Sequence, residues 1–297
     1  MGAMRLTDGG LETTLIFERG LELPLFAAFP LVEDDAGRAV LAAYWQPFLD
    51  LAESHGVGFD VDTATWRANP DWASQLGYDA ARLRAVNEEA AGFARSLGRP
   101  SLDVRVNGVV GPRGDGYVSG EEMGAEEAAA YHLPQVRALA AGGVDQVSAL
   151  TLTYPREAVG FLHAAGEVGL PALVSFTVET DGRLPNGTPL ADAVAEVEDR
   201  TARAAVGYLV NCAHPTHLDG ALTGGPWTER VVGVRANAST MSHAELDAAE
   251  ELDPGDPDDL ARRYVGLVER LPGLRLLGGC CGTDLRHVGA IAAACLS

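Results

Sequence analysis

Residues 172–211 read ALVSFTVETDGRLPNGTPLADAVAEVEDRTARAAVGYLVN, and they hold one complete structural unit. Ala172–Thr177 and Val206–Asn211 are short apolar runs of strand-forming side chains. Between them lie a loop rich in Gly and Pro and a helical pattern over Pro189–Ala205. Two short strands joined by a helix make a βα crossover, which links parallel neighbours in a sheet. The same alternation recurs along the chain, with further strands expected at Met4–Gly9, Val57–Thr63, Asp103–Val109, Gln146–Thr151, Val231–Ala236 and Leu274–Gly278. Helices are expected at Ala39–Ser54, Ala80–Leu97, Ala125–Ala141, Asp256–Leu271 and Asp284–Ala294, with Asp79 as an N-cap and Gly142-Gly143 as a stop. Eight units in 297 residues predict an α/β fold, a single (β/α)8 TIM-type barrel over residues 1–297, with a doubly wound open sheet as the alternative. The acidic run Glu250–Asp259 reads as a solvated loop and helix start within that one domain. A barrel places its chemistry at the carboxyl ends of its strands.

All 22 basic side chains are arginine, and the chain has no lysine. That removes Schiff-base catalysis and the lysine-bearing phosphate loop. With 42 acidic residues the formal charge is -20, which repels nucleic acid and anionic lipid. No apolar run has the length of a membrane helix, and Met1-Gly2-Ala3-Met4-Arg5 has no signal-like stretch, so the sequence predicts a cytoplasmic protein. Four cysteines, two of them adjacent, do not form a disulfide framework and are available as thiols.

Three of those cysteines fall at strand ends: Cys212 after Val206–Asn211, and Cys280-Cys281 after Leu274–Gly278. Adjacent residues of a regular strand point to opposite faces, so Cys280 and Cys281 share an ion only where the backbone leaves that conformation. Gly278, Gly279 and Gly282 supply the freedom. Three thiolates suit zinc and leave a fourth position open for water or substrate, as in a catalytic site. Inert buried thiols or a Cys280–Cys281 disulfide are the alternatives. His214 and His217 compete as ligands, whereas Cys295, in the alanine-rich last helix, reads as a small buried side chain. The first strand ends in Asp8-Gly9-Gly10, where backbone N–H groups can meet an anion and Asp8 a cation. Trp66 and Phe17 follow the second and first strands and are candidates to face a cationic donor.

With these residues assembled, the chain resembles the homocysteine S-methyltransferase family from end to end. The strings that carry the resemblance are LTDGGLETTLIFERGLELPLFAAFPL, YHLPQVRALAAGGVDQV, SFTVETDGRLPNGTPL, LVNCAHP and, most specifically, LGGCCGTDLRHV. The resemblance implies a zinc-dependent barrel that moves a methyl group from a sulfonium or ammonium donor (S-methylmethionine, S-adenosylmethionine or a betaine) to the thiol of homocysteine, forming methionine. It implies zinc on Cys212, Cys280 and Cys281, with Asp8, Gly9, Gly10, Asn211, Asn237 and Thr283 as substrate contacts. No side chain beyond the metal-activated thiol is then required as a catalyst. The partners so implied are a small thiol acceptor and a methyl donor, without nucleic acid or membrane.

Two departures stand out. The family usually carries Glu-Thr after the fourth strand, its carboxylate holding the amino group of homocysteine, and this chain has Leu150-Thr151 there. Losing a carboxylate beside an ammonium costs about 2 to 4 kcal/mol. Either Asp8, Glu12 or Glu179 replaces it, or the acceptor is another thiol or a selenol. The stretch Arg235-Ala236-Asn237-Ala238 also lacks the proline that often precedes the asparagine. The competing reading from another class is a zinc hydrolase on the same barrel, for which His214 is the sequence-local base.

Overall fold

A computed structural model describes residues 3–249 and 251–296. The beginning of the acidic run, at Glu250, and Met1-Gly2 of the start lie outside the described residues. Eight strands form the wall of a barrel: β1 Arg5–Leu6, β2 Gly58–Asp62, β3 Val104–Val110, β4 Gln146–Leu152, β5 Ala172–Phe176, β6 Gly207–Asn211, β7 Val231–Ala236 and β8 Leu276–Gly279. Each is parallel to the next, and β8 closes onto β1 by pairing Leu276 with Arg5 and Leu277 with Leu6. The order follows the chain, so the closed barrel is the fold and the open sheet is not.

The helices are α1 Leu11–Thr13, α2 Asp35–Ser54, α3 Pro70–Gln75, α4 Ala80–Ser96, α5 Ala125–Ala141, α6 Pro155–Val168, α7 Leu190–Arg200, α8 His243–Ala248, α9 Pro257–Arg270 and α10 Leu285–Cys295. Six of these starts are set by side chains that satisfy free N–H groups of a first turn. Asp34 accepts from Gly37, Asp79 from Arg82, and Asp284 from Arg286. Helix α5 stops at Gly142, followed by Gly143 with φ +87°. Helix α7 ends at Arg200, short of Ala205, because Ala202 and Arg203 take left-handed backbone angles. Helix α6 buries nine of its residues, which hides an amphipathic period in the sequence. Among the described residues no helix is long and apolar enough to cross a membrane.

Side chains alternate across each strand. Val61, Val106, Val147, Val174, Val210 and Leu277 pack outward in the main core against the helices. Val109, Leu150, Leu173, Leu209, Val232 and Leu276 form a second cluster inside the barrel, with Trp66 packed on it. The interior also holds buried charge. Buried Arg5 pairs with buried Asp60 and also with Asp103, which is exposed. Asn107 donates to Asp62 at 2.7 Å and accepts from Ser148 at 2.6 Å. These groups are partnered by one another, which is the condition for burying them.

Candidate metal centre and substrate cavity

At the carboxyl-terminal mouth the three strand-end cysteines converge. Their sulfurs all lie within 4.8 Å of one another, and Cys212 Sγ is 3.9 Å from Cys281 Sγ. Four sulfurs bound tetrahedrally at about 2.3 Å would be separated by roughly 3.8 Å, so the observed spacing suits one ion held in common. All four cysteines are free, so Cys280 and Cys281 form no disulfide, and Cys295 lies apart from the cluster. Cys295 is half-buried.

The backbone makes this convergence possible. Strand β8 ends at Gly279, Gly282 has φ +76°, and Cys212 itself has φ +54°, an arrangement a non-glycine residue rarely adopts. Three donors converge on the Cys212 carbonyl: His243 Nε2 at 2.7 Å, Asn237 Nδ2 at 3.1 Å and Thr177 Oγ1 at 3.4 Å. His243 in turn contacts Glu179 through Nδ1 at 3.0 Å and stacks on Tyr117, ring centroids 4.2 Å apart. The Tyr117 hydroxyl lies 3.4 Å from Cys281 Sγ. Asn211 Nδ2 faces Cys280 Sγ at 3.8 Å and donates to Thr151 Oγ1 at 2.8 Å. On the other side, Thr283 Oγ1 donates to the Cys280 carbonyl at 2.7 Å. A Cβ on Gly10 would lie 2.6 Å from that same carbonyl, so only glycine lets the first loop approach the cysteine turn.

Without metal the thiols share protons unevenly. Hydrogen bonds from Cys212 and Cys281, with Asn211 and the charge of Arg235, hold Cys280 well below the usual thiol range. Cys212 is pushed up chiefly by its hydrogen bond to Cys280, against the opposing one to Cys281, and Cys281 is pushed up by its hydrogen bonds to Cys212 and Cys280.

The cysteines open onto a cavity of about 410 Å³. Among the described residues its wall carries Asp8, Glu12, Asp62, Asp115, Asp247, Glu251 and Asp253 against Arg67 and Arg235, together with Phe17, Phe26, Trp66 and Tyr117. Arg235 lies beneath the cysteines, paired with both Asp8 and Asp62 and donating to Gly279 O at 3.1 Å. Burial opposes its charge, and the two carboxylates more than offset that opposition. Asp8 also accepts from Trp45 Nε1 at 3.1 Å, and burial raises it to about 6 against the pull of Arg235. Among the described residues Glu12 has no side-chain partner. Burial pushes it up to about 7, its own N–H opposes that rise, and Cys280 and Asp8 add to it.

Cys212, Cys280, Cys281, Asp8, Gly9, Gly10, Asn211 and Asn237 all line the cavity, as do Trp66 and Phe17. One expected contact and the two competing ligands sit differently. Thr283 is buried behind the cysteine turn, outside the cavity lining, and the Gly10 N–H already donates to Thr283 O at 2.9 Å. His214 is buried against Thr216, at 2.8 Å, and His217 against the Thr240 carbonyl, at 3.0 Å, so neither joins the sulfurs. Among the described residues no histidine lines the cavity. Leu150 belongs to the apolar cluster inside the barrel and its carbonyl accepts from Trp66 Nε1 at 3.4 Å, so the floor is apolar there. Of the three acids considered in its place, Asp8 is engaged by Arg235 and Trp45 and Glu179 by His243, which leaves Glu12 open. Tyr117 and His243 lie in segments with no diagnostic spacing, and Arg67 and Arg235 sit beside positions the sequence singled out, Trp66 and Asn237, without a signal of their own.

A closed parallel barrel with three converging cysteine sulfurs at its mouth defines a (β/α)8 protein able to coordinate a metal ion through thiolates. Residues 5–295 match the family model described as Homocysteine S-methyltransferase, and the chain belongs to that family. It is 27% identical over 317 aligned positions to the homocysteine S-methyltransferase of Escherichia coli strain K12, an alignment covering 97% of this chain and 94% of that protein. It is 30% identical over 254 positions to the methionine synthase of Mycobacterium tuberculosis, covering 79% of this chain but 20% of the synthase. The crystal structure of the Escherichia coli homocysteine methyltransferase MmuM superposes with a TM-score of 0.75 in its oxidised form, at 24% identity over 98% of this chain and 95% of that one. The metallated form gives 0.71 at 23% identity, over 98% and 96%. These likenesses bear on the fold.

Proposed function

We propose that this chain transfers a methyl group from a sulfonium or ammonium donor to the thiol of homocysteine, forming methionine, with zinc held by Cys212, Cys280 and Cys281. The convergence of three strand-end sulfurs on the wall of an acidic, aromatic-lined cavity is the observation that carries this reading. Zinc bound there would hold the acceptor thiol as its thiolate near neutral pH, at the position the three cysteines leave open. The chain's own residues then have a positioning task. The thiolate attacks the methyl carbon, the S–C bond forms, and the electron pair of the breaking bond leaves with the neutral donor. No proton moves in that step, so the absence of a cavity histidine is no obstacle.

Seven carboxylates against two guanidiniums favour a cationic donor, with Trp66, Phe17 and Phe26 as candidate partners for its onium group. Asn211 and Tyr117 orient Cys280 and Cys281 through the contacts at 3.8 and 3.4 Å. Glu12 takes the acceptor's ammonium group, in the role that Leu150 leaves vacant. Asp8, Gly9, Gly10 and Asn237 serve the amino-acid end of the acceptor, and Thr283 acts on it only through the cysteine turn. The same reading treats residues 1–297 as one domain, and the four free thiols favour a reducing, cytoplasmic setting. The base that the sequence offered for the hydrolase, His214, is buried against Thr216 and does not line the cavity, so the methyl-transfer reading is preferred.

The test is methionine formation from homocysteine with S-methylmethionine, S-adenosylmethionine or betaine, together with zinc content. Wild type is expected to bind zinc and turn over at least one donor, and Cys281→Ala to lose both. Equal zinc in the two proteins, or no turnover of any donor by wild type, contradicts the proposal.

A further inference from the structure

The two guanidiniums of the cavity stand in opposite circumstances. Arg235 is saturated by Asp8, Asp62 and the Gly279 carbonyl. Arg67, which follows Trp66 after β2, is only 8% exposed and has no carboxylate in ion-pair contact among the described residues. Its one hydrogen bond is a long one, NH1 to Gly114 O at 3.3 Å. Its Nε is buried with no partner at all. Two indoles flank the group, Trp66 at 4.3 Å and Trp72 at 3.7 Å from the guanidinium carbon. Burial lowers its basicity, with Asp115, Glu12 and Tyr117 acting in the other direction from a distance.

A buried guanidinium with unused N–H donors is costly unless an anion completes it. The indoles hold the cation in place through their faces, and the planar fork matches a carboxylate in two-point contact. The rest of the wall is acidic, so a simple anion is repelled from the cavity as a whole. A ligand that satisfies both conditions carries a cationic centre and a carboxylate together.

We propose that Arg67 is the carboxylate-binding residue of this cavity and completes its coordination on the carboxylate of a zwitterionic amino-acid ligand. This identification of the ligand class rests on the methyl-transfer reading, in which both the donor and the acceptor can supply such a carboxylate. A residue that merely packs between two tryptophans would not discriminate ligands by that group.

The experiment is titration calorimetry on zinc-loaded wild type, Arg67→Gln and Arg67→Lys with two matched pairs of probes. S-methylmethionine is compared with (3-aminopropyl)dimethylsulfonium, and homocysteine with 3-aminopropane-1-thiol. In wild type, the carboxylate-bearing member of at least one pair is expected to bind tenfold or more tightly than its partner. Arg67→Gln should erase that preference, and Arg67→Lys, which keeps the charge without the fork, should retain part of it. The pair whose preference collapses identifies donor or acceptor as the source. Preference unchanged in Arg67→Gln, or no preference in wild type, including no binding of any probe, overturns the proposal. Near-UV circular dichroism checks that Arg67→Gln is folded, and if it is not, Arg67→Lys with full wild-type preference overturns the fork argument. Methionine formation by wild type is measured separately. Carboxylate preference without turnover leaves the Arg67 site standing and removes the methyl-transfer reading.

Discussion

Replacing Arg235 by Met tests the electrostatic floor of the cavity. The guanidinium is 6% exposed and bridges Asp8, 2% exposed, to Asp62, 6% exposed. Met fills similar volume but leaves two carboxylates facing each other without a counter-charge. Removing one partner of a buried ion pair costs about 3–5 kcal/mol. Part of that returns when a carboxylate takes up a proton, and Asp8, already at about 6, is the group poised to do so. The sign follows from linkage. A carboxyl raised above its unfolded value favours folding at low pH, and that contribution is lost as pH rises through the folded value. The variant should therefore be about 4 kcal/mol less stable than wild type at pH 8 and only about 2 kcal/mol less stable at pH 5, since one unit is worth about 1.4 kcal/mol. Urea unfolding followed by far-UV circular dichroism at the two pH values measures both numbers. A loss below 1 kcal/mol at pH 8, or one that grows as the pH falls, refutes the reasoning.

Three further outcomes are expected. Glu12→Gln should raise KM for homocysteine about 10- to 100-fold with kcat little changed, worth about 1.4–2.8 kcal/mol, and should leave thiols without an amino group unaffected; steady-state kinetics on both acceptor types decides it. His243→Ala removes the 2.7 Å contact to the Cys212 carbonyl and should weaken zinc affinity about 10- to 100-fold in a chelator competition, whereas unchanged affinity would assign the histidine to packing alone. At the outer wall, Arg82 grips Glu33 through two bonds of 2.7 and 2.9 Å and holds its carboxyl below the usual range, aided by Tyr78. Stability from that pairing is present above the unfolded carboxyl value and lost as pH falls through the folded one, so Glu33→Gln should cost about 1 kcal/mol at pH 7 and nothing at pH 2 in chemical unfolding.

The barrel was legible because all eight strands announce themselves as short apolar runs and six of them are followed by a helical pattern, and Val231–Ala236 and Ala125–Ala141 fall where the sequence puts them to the residue. The cysteine cluster was legible from glycines that free the backbone around Cys280 and Cys281. The strain that seats Cys212 was not, because a positive φ at a cysteine follows from tertiary hydrogen bonds made by residues 25 and 31 positions away. Helix α6 was hidden by its burial on more than one side, and Arg67 by being one arginine among 22. What sets it apart is a buried Nε without a partner and the lack of an ion-paired carboxylate among the described residues, which only the assembled cavity reveals. Leu150 stood out in the sequence as a missing acid, and the fold shows the positive reason for it, a continuous apolar layer under Trp66.

The central claim is that Cys212, Cys280 and Cys281 hold one zinc ion and leave one position for the acceptor's sulfur. X-ray absorption at the zinc edge counts the bound sulfurs directly. Zinc-loaded protein should show three sulfurs and one lighter neighbour, changing to four sulfurs when homocysteine is added. A count that stays the same on adding homocysteine, or a zinc site surrounded by nitrogen and oxygen alone, would contradict it.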